Sequence, residues 1–189
     1  MSVKNRLDDM IININNCLSK IPKSQSVNWS HVSEIVSITS VCANELRLTK
    51  SFTVPFGRYL IFEDEFFNVQ LDVFSENYVG APHNHDTWGV MSCISGELGI
   101  SDYVMSESEL TLIRKGLLKS GSSIGFLKES DWHSTETFSG QQVASFHVYG
   151  HDFNLENGHR YDPFRGIERY ERGVLHDYSA NSGILELEV

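Results

Sequence analysis

Residues 82–89 read Pro-His-Asn-His-Asp-Thr-Trp-Gly and place His83 and His85 two positions apart. On an extended segment, side chains at i and i+2 point to the same face, so both imidazoles can reach one metal ion. Such a pair is weak evidence by itself, because solvated or core histidines are the commoner case. A third ligand is needed, and His133, which follows Asp131-Trp132, is the candidate. Three histidines that leave coordination positions open are typical of a catalytic rather than a structural metal site.

The composition is that of a globular protein. The chain has 189 residues, 40% of them hydrophobic and 21% charged, which is enough for one core. The formal net charge of -10 argues against nucleic acid or an anionic membrane as a partner. No run of roughly 18 apolar residues predicts a membrane span, and the polar N-terminus is unlike a signal core. Three cysteines without a C-x-x-C pair fit a reducing compartment, so we expect a cytoplasmic protein.

The hydrophobic period changes along the chain. Residues 4–20 and the segment from Trp29 to Leu48 carry aliphatic side chains at helical spacing, which predicts two helices packed over a sheet. From Ser51 onward, short segments rich in aromatic and β-branched residues alternate with turn residues, which predicts strands. The predicted strands are 58–63, 67–74, 86–94, 97–102, 122–127, 133–138 and 142–149, with a short final strand at 184–189.

This order of elements predicts a mainly β fold, a sandwich or barrel, with N-terminal α-helices. We expect the whole chain, 1–189, to form a single domain. Its parts would be a helical region at 1–50, a β-barrel core at 51–153 and a C-terminal wrapping segment at 154–189.

The spacing after His85 bears on the metal ligands. Barrel metalloproteins of the cupin type carry His-x-His, three residues, a Glu ligand, six residues and a glycine. In this chain that spacing puts Gly89 at the Glu position and Gly96 at the closing glycine. The acidic ligand is therefore missing. A metal held by three neutral imidazoles keeps its full divalent charge, which favours anionic ligands such as a thiolate.

A second group of polar residues alternates along one predicted strand. Ser145, His147 and Tyr149 are two positions apart, so all three face the same side. A serine hydroxyl can orient an imidazole, and the imidazole can orient a tyrosine hydroxyl beside the metal. The alternative is an ordinary alternating strand whose polar residues face solvent.

Arg58, the His83-Asn84-His85 pair, His133 and the strand from Ser145 to Tyr149 follow one another in an order and spacing that resemble the cysteine dioxygenase family. The resemblance covers roughly residues 52–153. In that family a cupin-type double-stranded β-helix, a jelly-roll barrel, holds iron(II) through three histidines. The resemblance implies His83, His85 and His133 as Fe(II) ligands. It also implies Ser145, His147 and Tyr149 as a catalytic triad outside the metal shell, and Arg58 as the anchor of the substrate carboxylate.

Some positions depart from the family pattern. Animal members cross-link a cysteine just beyond the second histidine to the triad tyrosine, but residues 87–90 contain no cysteine. Cys93 lies further along and is expected to be a small buried side chain, so we expect no cross-link. The Trp88-Gly89 pair resembles the bacterial 3-mercaptopropionate dioxygenases. Some of those have glutamine at the position of Arg58, so cysteine and 3-mercapto acids both stay open as substrates.

The resemblance implies a cytoplasmic non-haem iron(II) thiol dioxygenase. Its partners would be O2 and a small carboxylated thiol, which receives both oxygen atoms and becomes a sulfinic acid. Two alternatives stay open. A cupin that binds a metal or ligand without catalysis would not require the Ser-His-Tyr strand. A different metal-dependent cupin enzyme would be expected to carry the acidic ligand that Gly89 replaces.

Overall fold

The structure is a computed structural model that describes residues 3–22, 25–47, 56–107, 109–138, 140, 142–150, 158–169 and 175–177. Within these ranges two α-helices come first, α1 (Val3–Leu18) and α2 (Trp29–Leu46). The strands that follow are β1 (Gly57–Glu63), β2 (Phe67–Phe74), β3 (Gly89–Ser95), β4 (Glu97–Ser106), β5 (Glu109–Lys119), β6 (Ser123–Phe126), β7 (His133–Thr137), β8 (Val143–Gly150), β9 (His159–Asp162), β10 (Gly166–Arg169) and β11 (Leu175–Asp177).

Helix α2 has a well-defined start. The Asn28 side chain accepts hydrogen bonds from the backbone N–H groups of Ser30 and His31, and the His31 ring accepts one from the Asn28 N–H. This reciprocal cap satisfies donors that the first turn leaves unpaired. The helix packs closely on the sheet at Gly125 of β6, where a Cβ would lie 3.0 Å from Cγ2 of Val36. Among the described residues, neither helix combines the length and hydropathy that a membrane span requires.

The strands form three sheets, and the two larger ones face each other. One has the order β11-β1-β2-β8-β3-β6 and the other has the order β5-β4-β7. Residues 79–83 extend the second sheet beyond β7 through the isolated bridges Val79↔Glu136 and His83↔His133. The order β2-β8-β3-β6 opposite 79–83, β7, β4 and β5 is that of a jelly roll. The predicted mainly β fold, a double-stranded β-helix with N-terminal helices, is therefore confirmed.

Strands β2 and β8 are buried along their whole length. One face of each packs in the larger hydrophobic cluster with α1 and α2, through residues such as Leu71 and Phe146. The other face turns toward the barrel interior and is largely polar. Its buried polar residues are Asn68, Gln70, Asp72, Ser145 and His147. The polar residues at every second position of these strands therefore mark the face that turns toward the barrel interior.

Several predicted boundaries were wrong. Strand β5 was missed, because it is an edge strand whose side chains are mostly exposed and show no regular alternation. The third predicted strand begins at Gly89, because Asp86 has a φ of 57° and turns the chain before it. The segment predicted as irregular wrapping contains the β9-β10 hairpin and β11, which pairs in parallel with β1. The strand predicted at 184–189 lies outside the described residues.

Candidate metal centre

Three histidines meet where the 79–83 segment pairs with β7. His83 and His133 are direct cross-strand neighbours, joined by backbone hydrogen bonds of 2.8 and 2.9 Å. His85 reaches the same point from two residues further along. One ring nitrogen from each histidine lies within 4.8 Å of those of the other two. His85 and His133 are buried, and His83 is half-buried at the edge of a cleft.

Backbone carbonyls fix the tautomers of two of these rings. Nδ1 of His83 donates to the carbonyl of Ala81 at 2.9 Å, and Nδ1 of His133 donates to the carbonyl of Asp131 at 2.7 Å. A carbonyl can only accept, so the proton of each neutral ring lies on Nδ1 and Nε2 carries a lone pair. Nε2 of His133 lies 3.3 Å from Nε2 of His85. Neutral imidazoles oriented in this way suit divalent Zn, Cu, Fe or Ni, so the donor set fits a metal such as iron(II).

The His83–His85 segment is held from two sides. The backbone N–H of His85 donates to Oδ2 of the buried Asp131 at 2.6 Å. On the other side, Asn84 accepts a side-chain hydrogen bond from the His159 N–H at 2.8 Å and donates its own N–H to the His159 carbonyl at 2.9 Å. Strand β9 therefore supports the histidine segment. Sequence reasoning missed Asp131 and β9, because neither is close to this segment in the chain.

The polar residues of β8 form a continuous hydrogen-bonded chain. The Ser145 hydroxyl lies 2.8 Å from Nε2 of His147, and Nδ1 of His147 lies 2.8 Å from the Tyr149 hydroxyl. That hydroxyl lies 3.5 Å from Nε2 of His85, and the two rings stack with centroids 4.4 Å apart. All three β8 residues are buried. The chain of hydroxyls and imidazole therefore ends beside the histidine cluster.

Gly89, which occupies the position of the missing acidic ligand, has no room for a side chain. A Cβ there would lie 2.8 Å from Cε2 of Phe126 and 2.9 Å from Cδ1 of Tyr149. Two aromatic rings thus fill the space that a glutamate would need. Packing around residue 89 leaves no room for an acidic ligand, so the structure and the sequence both indicate three histidine donors.

Arg58 enters the same cleft from β1. Its Nη2 donates to Oε1 of Gln70 at 2.8 Å, and its Nε lies 3.3 Å from Oδ2 of Asp72. The cleft opens to solvent. Its walls include the residues Phe56, Arg58, Asp72, Phe74, Tyr78, His83, His85, His133, His147 and Tyr149.

The structure thus brings the sequence-predicted residues to one place, with Ser145 behind His147. Sequence reasoning missed Gln70 and Asp72. A signal for them exists, since Asn68, Gln70 and Asp72 interrupt an apolar strand at every second position.

Cys93 is buried. Its thiol contacts the backbone carbonyls of Ser95 and Gly96, each at 3.5 Å. Burial raises the pKa of this thiol to about 12, because desolvation disfavours the thiolate. Cys93 is therefore a small buried side chain, as the sequence predicted.

The similarities of this chain to known proteins are remote. No protein-family model matches the sequence, and no curated protein matches it. An RmlC-like cupin with a double-stranded β-helix fold from Methanocaldococcus jannaschii is 12% identical, covers 55% of this chain and 85% of its own, and has a TM-score of 0.42. Hydroquinone 1,2-dioxygenase from Sphingomonas is 8% identical, with coverages of 52% and 67% and a TM-score of 0.44. A cupin 2 conserved barrel domain protein from Leptotrichia buccalis is 10% identical, with coverages of 53% and 43% and a TM-score of 0.41. These similarities are too remote to bear on activity.

Proposed function

We propose that this protein is a non-haem iron(II) thiol dioxygenase that combines a small carboxylated thiol with O2 to give a sulfinic acid. Support comes from one cleft that joins three imidazole donors, a buried hydrogen-bonded chain and a guanidinium. The observation that carries the proposal is the Tyr149 hydroxyl, which lies 2.8 Å from Nδ1 of His147 and 3.5 Å from Nε2 of His85. A purely binding site would not need that buried relay.

The three histidines would hold the metal. When bound, iron(II) supplies open coordination positions and the redox chemistry that brings a thiolate and oxygen together. His83, His85 and His133 contribute no negative charge, so the site attracts an anionic sulfur. The carbonyls behind His83 and His133 keep their Nε2 atoms unprotonated and oriented for this role.

Arg58 would bind the carboxylate of the substrate. Gln70 and Asp72 orient its guanidinium, which has five N–H donors and a fork that matches a carboxylate. Holding the substrate at both ends fixes the sulfur relative to the histidine cluster. Such positioning removes much of the entropic barrier to reaction.

Tyr149 would donate a hydrogen bond to oxygen or to the substrate sulfur. If Ser145 donates to Nε2 of His147, then Nδ1 of His147 donates to the tyrosine oxygen and leaves the tyrosine O–H directed at the cleft. The overall reaction adds both atoms of O2 to one thiol and consumes no further electrons or protons. The relay therefore needs only to hold and return a proton.

Oxygen uptake by iron(II)-loaded protein tests this function. The panel would be cysteine, 3-mercaptopropionate, mercaptosuccinate and cysteamine, with the sulfinate identified by mass. We expect uptake and sulfinate formation with carboxylated thiols and much weaker uptake with cysteamine. Metal retention without uptake would replace the proposal with a binding cupin. A preference for zinc or nickel, together with turnover of a substrate that is not a thiol, would indicate a different metal-dependent enzyme.

A further inference from the structure

One carboxylate oxygen in the cleft has no role in the proposed reaction. Asp72 lies on β2 with its side chain 9% exposed, and it lines the cleft. Its Oδ2 lies 3.3 Å from Nε of Arg58 and 3.8 Å from Nε2 of His147. Its Oδ1 is buried, and no donor among the described residues lies within hydrogen-bond distance of it. Buried carboxylate oxygens without a donor are rare, because desolvation of an acceptor is costly.

The surroundings of this oxygen favour a cationic donor. Phe56, Phe74 and Tyr78 provide aromatic walls around the charged groups of the cleft. In such surroundings water screens charges weakly, so an anionic acceptor attracts a cation more strongly than a neutral donor. Nε2 of His147 cannot readily serve as that donor, since it already contacts the Ser145 hydroxyl at 2.8 Å.

Arg58 and Asp72 also form a matched pair. They are directly opposite each other in the register of β1 and β2. An α-amino acid head group carries its carboxylate and its ammonium on one carbon atom, so it presents two opposite charges side by side. The guanidinium can meet the carboxylate while the Asp72 carboxylate meets the ammonium. A mercapto acid without an amine fills only the first of these positions and brings a negative charge near Asp72.

We propose that Asp72 is a specificity-determining residue that binds the ammonium group of the substrate. The site then selects thiols that carry an ammonium beside their carboxylate over mercapto acids that lack one. This inference rests on the proposed function, because it concerns the substrate of the same cleft. If Asp72 served only to align Arg58, its replacement would instead weaken the binding of every carboxylated ligand to the same extent.

Anaerobic binding to zinc-loaded protein tests the inference without turnover. Calorimetry would compare cysteine with 3-mercaptopropionate, and L-serine with 3-hydroxypropionate, which cannot undergo thiol oxidation. The variants would be Asp72→Asn and, as a matched control, Gln70→Leu, which removes the other acceptor of Arg58. Circular dichroism and metal content would establish that each variant is folded and loaded.

We expect Asp72→Asn to lose about ten- to a hundred-fold in affinity for cysteine and serine, because the negative charge that attracts the ammonium group is lost. Affinity for the two ligands without an amine should change by no more than about threefold. The preference for ligands with an amine is then largely lost. Gln70→Leu should weaken all four ligands in parallel. A preference that is unchanged in Asp72→Asn would overturn the inference. If that variant does not fold, tighter binding of 3-hydroxypropionate than of serine to the unmodified protein would overturn it equally.

The result of the binding experiment can be distinguished from the result of the oxygen-uptake test. An Asp72-dependent preference for serine without oxygen uptake would support the zwitterion site and reject the dioxygenase. Oxygen uptake with an unchanged preference in Asp72→Asn would support the dioxygenase and reject the role of Asp72.

Discussion

The hydrogen bond between Asp131 and the backbone of His85 gives the sharpest test of how this fold positions a metal ligand. Oδ2 of Asp131 accepts the His85 N–H at 2.6 Å, and Asp131 is only 1% exposed. Replacing Asp131 with alanine leaves that N–H without this acceptor and removes a charge-assisted bond. Such a bond contributes about 1.5–3 kcal/mol, and a factor of ten in an equilibrium constant corresponds to about 1.4 kcal/mol.

The loss should appear in metal affinity as well as in stability. If the whole loss affected the orientation in which His85 binds a metal, the dissociation constant of the metal would rise by roughly ten- to a hundred-fold. That is the range seen when hydrogen-bond partners of metal ligands are removed. Asp131→Asn is the matched control, because its amide oxygen can still accept from His85 N–H. We expect a smaller loss, of about tenfold or less, in that variant, because a neutral acceptor replaces a charged one.

Competition with a chelator would measure the metal affinity, and urea unfolding of the metal-free protein would measure the stability. The two effects need separate measurement because the carbonyl of Asp131 also accepts the hydrogen bond from Nδ1 of His133. If Asp131→Ala binds the metal as tightly as the unmodified protein, Asp131 does not position His85. The same holds if Asp131→Asn binds the metal as weakly as Asp131→Ala, because the acceptor would then be irrelevant.

Four further predictions follow from the same geometry. His133→Ala should abolish metal retention and turnover, and a variant that still holds one metal per chain by elemental analysis would exclude it as a ligand. Under the proposed function, Tyr149→Phe should keep the metal but lower turnover by about 10²–10⁴-fold; loss of the metal would mean that the tyrosine has another role. Gly89→Ala should destabilise the fold by about 1–3 kcal/mol in urea unfolding, because the new methyl overlaps the Phe126 ring. The pKa of Cys93 is raised to about 12, so its thiol stays protonated below that pH; rapid alkylation of native protein at pH 8 would contradict this.

Local spacing predicted much of the candidate site. The i, i+2 positions of His83 and His85, and those of Ser145, His147 and Tyr149, face one side of an extended chain whatever the rest of the fold is. His133 was found because it begins a strand after a turn. The helices and most of the barrel strands were also accessible, since hydrophobic periodicity reports burial directly.

The remaining features depend on contacts between distant parts of the chain. Asp131 is 46 positions from His85, and His159 is 75 positions from Asn84. No local pattern encodes which buried carboxylate will meet which N–H group, because strand register and loop placement decide it. Strand β5 was missed for a different reason, since an exposed edge strand has no single buried face to give a regular period.

The barrel interior shows why the fold and the site cannot be separated. Strands β2 and β8 pair so that Asn68 faces Tyr149, Gln70 faces His147 and Asp72 faces Ser145. These six polar side chains lie on one face, while the other face packs in the hydrophobic cluster. A slip of one residue in either strand would turn its polar set toward the helices and its apolar set into the cleft.

Such a slip is costly because the polar groups are bonded to one another in this register. Asn68 accepts from Gln70 at 2.9 Å, Gln70 accepts from Arg58 at 2.8 Å, and the Ser145 hydroxyl meets His147 at 2.8 Å. Apolar residues in these six positions would satisfy the requirements of a hydrophobic core without any hydrogen bonds. Stability alone therefore does not account for a polar interior on two neighbouring strands. The proposed chemistry at the cleft would account for it, because the residues that fix the register would also form the relay and orient the guanidinium.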